Sequence, residues 1–215
     1  MLSKKSQQAD ELFKRLHQLN PSPATELYFV NNFTLLVAII LSAQATDIGV
    51  NKATRSLFEK ADTPQKMLEL GHAALINHIK TIGLFNNKAN NIMKASKILL
   101  QEYHGNVPET LENLQKLPGV GRKTANVFLN CALGLPTIGV DTHVLRVSNR
   151  LGLADAQTPE KCEQQLLKNI PEKWHRDAHH LLILHGRYIC KARVPKCKEC
   201  SLTDLCSYFT FLGKP

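Results

Sequence analysis

LPGVGRKTANVFLNCALGLPTIGVD, residues 117–141, sets a Pro-Gly-Val-Gly turn between two apolar helical runs and decides how the rest of the chain is read. Glycine adopts torsions that other residues avoid and lets a second backbone come close. A turn of this composition at a helix start can therefore aim bare N–H groups at a phosphate. Pro118, Gly119, Val120 and Gly121 form such a gripping element by shape, and they deliver Lys123 to the start of the following helix. Asp141 follows 18 residues later. An amine beside an anion site, supported by a carboxylate, has the parts for attack on an electrophilic carbon of a bound strand. The stretch implies a nucleic-acid lyase.

Outward from the turn, the chain shows helical periodicity broken by Gly and Pro, with no run of strand alternation, and predicts an all-α fold. Leu12, Phe13, Leu16 and Leu19 give a first amphipathic helix, which Pro21 and Pro23 terminate. Helices are expected over 32–43 and 46–60, with Thr46 as N-cap of the second. Thr63-Pro64 and Thr158-Pro159 put a cap and a first-turn proline in the favoured order. Pro171 closes the second of these helices before a last long one to about Cys190. Gly71, Gly83, Gly105, Gly134 and Gly152 fall at expected helix ends or turns.

Composition narrows the partners. The chain has 215 residues, 43% of them hydrophobic, enough for one large core or two small ones. Lys plus Arg outnumber Asp plus Glu by 27 to 18, and a net charge of +9 suits a polyanion. The N-terminal MLSKKSQQADELFKRL has no apolar signal region, and the longest apolar run, Phe33 to Leu41, is too short to span a bilayer. A soluble intracellular protein is expected, where six cysteines read as metal ligands or core residues rather than disulfides.

Four of those cysteines, Cys190, Cys197, Cys200 and Cys206, fall within seventeen residues, a ligand pattern. Zinc and a [4Fe–4S] cluster both accept four thiolates. The six-residue first gap is wider than a usual zinc-knuckle step and tilts the reading toward iron–sulfur. Cys131 and Cys162 stand apart and are assigned to packing or surface. His185 to Lys198 carries Arg187, Lys191, Arg193, Lys196 and Lys198 and no acid. Lys191, Arg193 and Lys196 lie between the first two ligands, where a pinned loop can dock on phosphates or merely neutralise the cluster.

With these pieces together, the chain resembles the endonuclease III family within the helix-hairpin-helix glycosylase superfamily. The resemblance is carried by LSAQATDIGVNKAT (41–54), TIGLFNNKA (81–89), LPGVGRKTANV (117–127), VDTHVLRVSNR (140–150), LILHGRYIC (182–190) and the cysteine spacing. It implies a base-excision enzyme, a bifunctional DNA N-glycosylase and abasic-site lyase acting on double-stranded DNA with oxidised pyrimidines or abasic sites. It also implies a six-helix barrel domain over 23–135 that includes the helix-hairpin-helix at about 111–133. Residues 1–22 and 136–215 would form a discontinuous domain around a [4Fe–4S] cluster, with the DNA cleft between the two.

By the same resemblance Lys123 is the nucleophile and Asp141 its partner, as a base or as a stabiliser of the developing cation. A lysine amine must be neutral to attack, and the positive helix end and neighbouring Arg122 both disfavour the charged form. Gln44 and Leu84 match the residues that fill and wedge the gap left by an extruded nucleotide. Taken alone, Leu84 reads as ordinary core and Gln44 as a helix-end polar residue. Ser42 and Asp47 flank the same loop as pocket or capping residues. His143 and Arg146 follow Asp141 at helical spacing as phosphate contacts or neighbours that orient the acid. Two rivals remain: a monofunctional glycosylase using water, which lacks lysine at the position of Lys123, and a noncatalytic DNA-binding module. A monomer in the cytoplasm, nucleoid-associated if bacterial, completes the expectation.

Overall fold

The computed structural model describes residues 3–212. Its helices in chain order are α1 (Lys4–Leu19), α2 (Asn32–Ser42), α3 (Asp47–Phe58), α4 (Pro64–Leu70), α5 (His72–Ile79), α6 (Phe85–Tyr103), α7 (Leu111–Gln115), α8 (Arg122–Leu133), α9 (Thr142–Leu151), α10 (Pro159–Asn169), α11 (His175–Tyr188) and α12 (Ser207–Leu212), with three short 3₁₀ turns between. Every regular element among the described residues is helical. Local chemistry fixes most starts: Thr46, Thr63, Thr110 and Thr158 each accept a backbone N–H three residues on, and Pro64 and Pro159 open their helices. Asn31 and Thr34 close a reciprocal capping box on α2.

The chain divides into two compact units, Glu26–Leu133 and the pairing of residues 1–25 with 134–215. The first contains α2 to α8. Its centre is α2, buried continuously from Phe33 to Leu41 as expected of a helix apolar on all sides, and packed against α3, α6 and α8. The second unit contains α1 and α9 to α12, with α9 and α11 crossing closely. Gly186 permits that crossing, since a Cβ there would lie 3.0 Å from Val147 and 3.2 Å from His143. In α1, Leu12, Phe13 and Leu16 are buried, whereas Leu19 is 68% exposed because the apolar stripe ends one turn earlier. Cys162 belongs to this unit's core, and Cys131 is half-buried on α8. No helix of the described residues is long and apolar enough to cross a membrane.

Candidate active site

The hairpin is built on apolar anchors. Leu114, Leu117 and Val120 are buried, and Val120 N–H donates to Leu117 O at 3.0 Å, closing the turn. Gly119 has φ +82°, and a Cβ on it would stand 3.0 Å from Asn91 of α6, so torsion and space both require glycine. Gly121 has open space on the side a Cβ would occupy, and its carbonyl accepts from Ala125 N–H at 2.9 Å in the first turn of α8. Lys123 is thereby set, half-buried, in that first turn. Burial pushes the Cys131 thiol up to about 11, and the charge of Lys123, two turns back on the same helix, pulls it the other way.

Gln44 and Leu84, in the same unit, are both exposed, Leu84 by 58%. Exposure rules out the core reading of Leu84. Both hold left-handed backbone, φ 55° and 60°, which costs a non-glycine residue about 1–3 kcal/mol and persists only where the surroundings determine it. Thr46 caps α3, Asp47 occupies its first turn, and Ser42 Oγ turns back to Ile39 O at 2.8 Å, so the turn around Gln44 is bracketed by local hydrogen bonds.

Asp141 lies in the other unit as N-cap of α9. Its Oδ1 accepts from His143 N–H and Val144 N–H, both at 2.8 Å, which fixes the carboxylate and leaves Oδ2 facing His143 Nδ1 at 3.7 Å. Arg146 commits two donors within its unit: Nη2 to Gly186 O at 2.9 Å, and both Nε and Nη2 to Cys190 O. One turn on, Arg150 gives Nη1 to Lys191 O and Nη2 to Ala192 O, approaches Cys190 Sγ at 3.4 Å, and covers the Tyr208 ring. Arg150 escaped sequence reasoning, although its i, i+4 spacing from Arg146 in VDTHVLRVSNR was the available signal. Together the two arginines tie the start of the cysteine segment to α9. Lys191 and Arg193 are exposed beyond that tie, while Lys196 pairs with Glu199 at 3.1 Å.

Cys190, Cys197, Cys200 and Cys206 line one cavity with Leu151, Ile189, Pro195 and Phe209. His185 stands 3.8 Å from Cys200 and is pushed down to about 4 by burial. Four thiolates on one zinc would sit roughly 3.8 Å apart, given bonds of about 2.3 Å in a tetrahedron. Among the described residues no three His, Cys, Asp or Glu side chains converge tightly enough for a single ion. Four sulfurs lining one largely apolar cavity fit, by the chemistry of the donor set, a group held by thiolates.

Residues 37–172 match the HhH-GPD superfamily of base excision DNA repair proteins, so the class is that of a helix-hairpin-helix repair protein. Endonuclease III of Rickettsia conorii is 57% identical over 204 residues, 95% of this chain and 97% of that one. Endonuclease III of Escherichia coli K12 is 54% identical over 198 residues, 92% and 94% of the two chains. The chain belongs to the endonuclease III family, and is a base-excision DNA repair enzyme of the glycosylase and lyase class. A solved structure of a trapped endonuclease III–DNA covalent intermediate, 43% identical, superposes with a TM-score of 0.91 over the whole of both chains. A thermostable thymine-DNA glycosylase, 23% identical with a TM-score of 0.87, shares the fold.

Proposed function

We propose that this enzyme removes oxidised pyrimidines from duplex DNA and then cuts the abasic strand by β-elimination, with Lys123 as the nucleophile. The observation that carries this is the placement of Lys123 in the first turn of α8, directly beyond the glycine turn, where its amine would work beside backbone able to hold a phosphate. The trapped covalent intermediate of a relative 43% identical supports an amine that bonds to the strand. The neutral amine attacks C1′ and forms the N–C1′ bond, while the glycosidic bond breaks and the base leaves with its electron pair. Loss of the proton on nitrogen and opening of the sugar ring give an imine. Removal of a C2′ proton then expels the 3′ phosphate, and hydrolysis of the imine returns the lysine.

Asp141 would act through Oδ2, since Oδ1 is held by the α9 amides. It takes the ammonium proton or faces the cationic sugar as the base departs. Gln44 and Leu84 would fill the space vacated by the extruded nucleotide. Pro118 to Gly121, His143, Lys191 and Arg193 would hold phosphates, and Arg146 would serve the same surface through the backbone it pins. The four cysteines would bind a [4Fe–4S] cluster, which contributes a cross-link to an otherwise weakly cored segment. On this reading the Glu26–Leu133 unit is the barrel domain with its hairpin, and residues 1–25 with 134–215 the cluster domain, both engaging DNA. The enzyme works as a monomer in the cytoplasm, on the nucleoid in a bacterium.

Borohydride trapping on a duplex carrying an oxidised pyrimidine tests the chemistry, because only an amine nucleophile forms a reducible imine. The native chain is expected to form a covalent adduct, and Lys123→Ala to form none while still binding the duplex. An adduct that persists in Lys123→Ala would overturn the assignment. Base release without any adduct from the native chain would favour a water-using glycosylase.

A further inference from the structure

Three non-glycine residues among those described have left-handed backbone: Gln44, Leu84 and His104. His104 ends α6 as its C-cap, an ordinary place for that conformation. Gln44 and Leu84 sit instead on two neighbouring turns, since a Cβ added to Gly83 would stand 3.8 Å from Gln44 O. Two strained tips side by side need something that determines both.

Lys88 meets that need. Its backbone N–H donates to Leu84 O at 3.1 Å, forming the first turn of α6 behind the exposed tip. Its side chain, only 5% exposed, runs to the last turn of α2, where Nζ donates to Leu41 O at 3.0 Å, three residues before Gln44. One residue thus joins the backbone behind each tip. A cation at the C-terminal end of α2 is placed favourably against the helix dipole. Burial nonetheless lowers the amine's affinity for its proton, and an ammonium taken out of water to meet a backbone carbonyl is a poor choice for stability alone.

We propose that Lys88 is a positioning residue for base extrusion: its buried ammonium clamps the end of α2 to the start of α6 and so presents Gln44 and Leu84 to the duplex. The proposal rests on the reading that those two side chains enter the DNA.

The test is single-turnover base release from an oxidised pyrimidine that is paired in a duplex, set against the same lesion opposite a missing base, where the partner strand leaves little to fill. Lys88→Met is expected to slow the paired substrate by about tenfold or more and the unpaired one by less than about threefold. Lys88→Arg, which keeps a cationic donor in reach of Leu41 O, should restore most of the rate. In the double variant with Gln44→Ala, Lys88→Met should add less than about twofold, because a residue acting through another gives non-additive losses. Fluorescence of 2-aminopurine opposite the lesion should rise less in Lys88→Met than in the native complex. Equal slowing on both substrates, or full additivity with Gln44→Ala, would reduce Lys88 to a structural residue. If Gln44→Ala and Leu84→Ala leave the paired rate untouched, the reading of the tips fails first; if they slow it and Lys88→Met does not, only the clamp fails. Should Lys88→Met not fold by circular dichroism, Lys88→Gln against Lys88→Arg makes the same comparison.

Discussion

The hairpin and the cysteine segment are each a short irregular stretch that the proposed function sets against a strand, yet different physics holds them. In the hairpin, Leu114, Leu117 and Val120 are sunk in the core of the Glu26–Leu133 unit, each worth about 1.5–3 kcal/mol of burial. The left-handed Gly119 and backbone hydrogen bonds from Leu117, Val120 and Ala125 N–H do the rest. Between Cys190 and Cys206, Leu202 alone is buried. Ordering each residue of that segment costs about 1–2 kcal/mol, which one leucine cannot offset. Arg146 and Arg150 hold its beginning, and four cysteines surround a cavity at its heart. The polypeptide alone forms the first element; on the proposed reading the second is conditional on the group its thiolates would bind.

The largest way to break that contrast is to remove a ligand. Cys200→Ser should lose iron, and trypsin should then cut after Lys191, Arg193 and Lys198 at least about tenfold faster, because a segment without its cross-link opens locally. Amide exchange over 114–128 should not change. Loss of protection in both regions, measured by hydrogen exchange and mass spectrometry, would show that the hairpin depends on the cluster too. Native protein that is colourless with stoichiometric zinc would refute the iron assignment.

The two regions also differed in how far they could be read from sequence. Turn residues declare the hairpin directly, since Pro118, Gly119 and Gly121 act through torsion and size, properties local to each residue. Threonine caps before prolines were equally local and gave correct helix starts at Pro64 and Pro159. Cysteine spacing announced a ligand set but not its support, because the bonds from Arg150 to Lys191 O and Ala192 O span some 40 residues of chain. Leu84 could not be recognised as exposed from its apolar side chain, and its left-handed torsion is invisible in a sequence where glycine would be the usual sign. Lys88 carried no signal of its own in the sequence, and only the fold reveals that it is buried on α6 and which carbonyl it meets. The short α12 was missed because six residues hold less than two turns of period.

A smaller effect comes from the hairpin's own dependence on glycine. Gly119→Ala must place a Cβ in left-handed backbone and against Asn91, and should cost about 1–2 kcal/mol of stability, read as a lower urea midpoint at unchanged slope. Gly121→Ala meets no protein atom within 4 Å, so its loss should appear chiefly as several-fold weaker duplex binding, where the new methyl stands in the way of a phosphate. If Gly119→Ala leaves the midpoint unmoved, the hairpin is softer than its packing indicates. The two regions would then differ in degree rather than in kind.

The smallest effect sharpens what the pinned loop is for. Lys191 and Arg193 are exposed on a loop that Arg150 holds at Lys191 O and Ala192 O, while Lys196 is already paired with Glu199. Removing one cation from a phosphate should flatten the plot of log K against log salt by about 0.9 for duplex DNA. Lys191→Ala and Arg193→Ala are therefore each expected to reduce the slope by up to about one unit, and Lys196→Ala by clearly less, since its ammonium must first leave a partner worth about 0–1 kcal/mol. An equal change for all three would mean that the loop acts as a diffuse positive patch rather than through set contacts. No change in any of them would assign the loop's charge to balancing the thiolates, leaving the hairpin to grip the strand by itself.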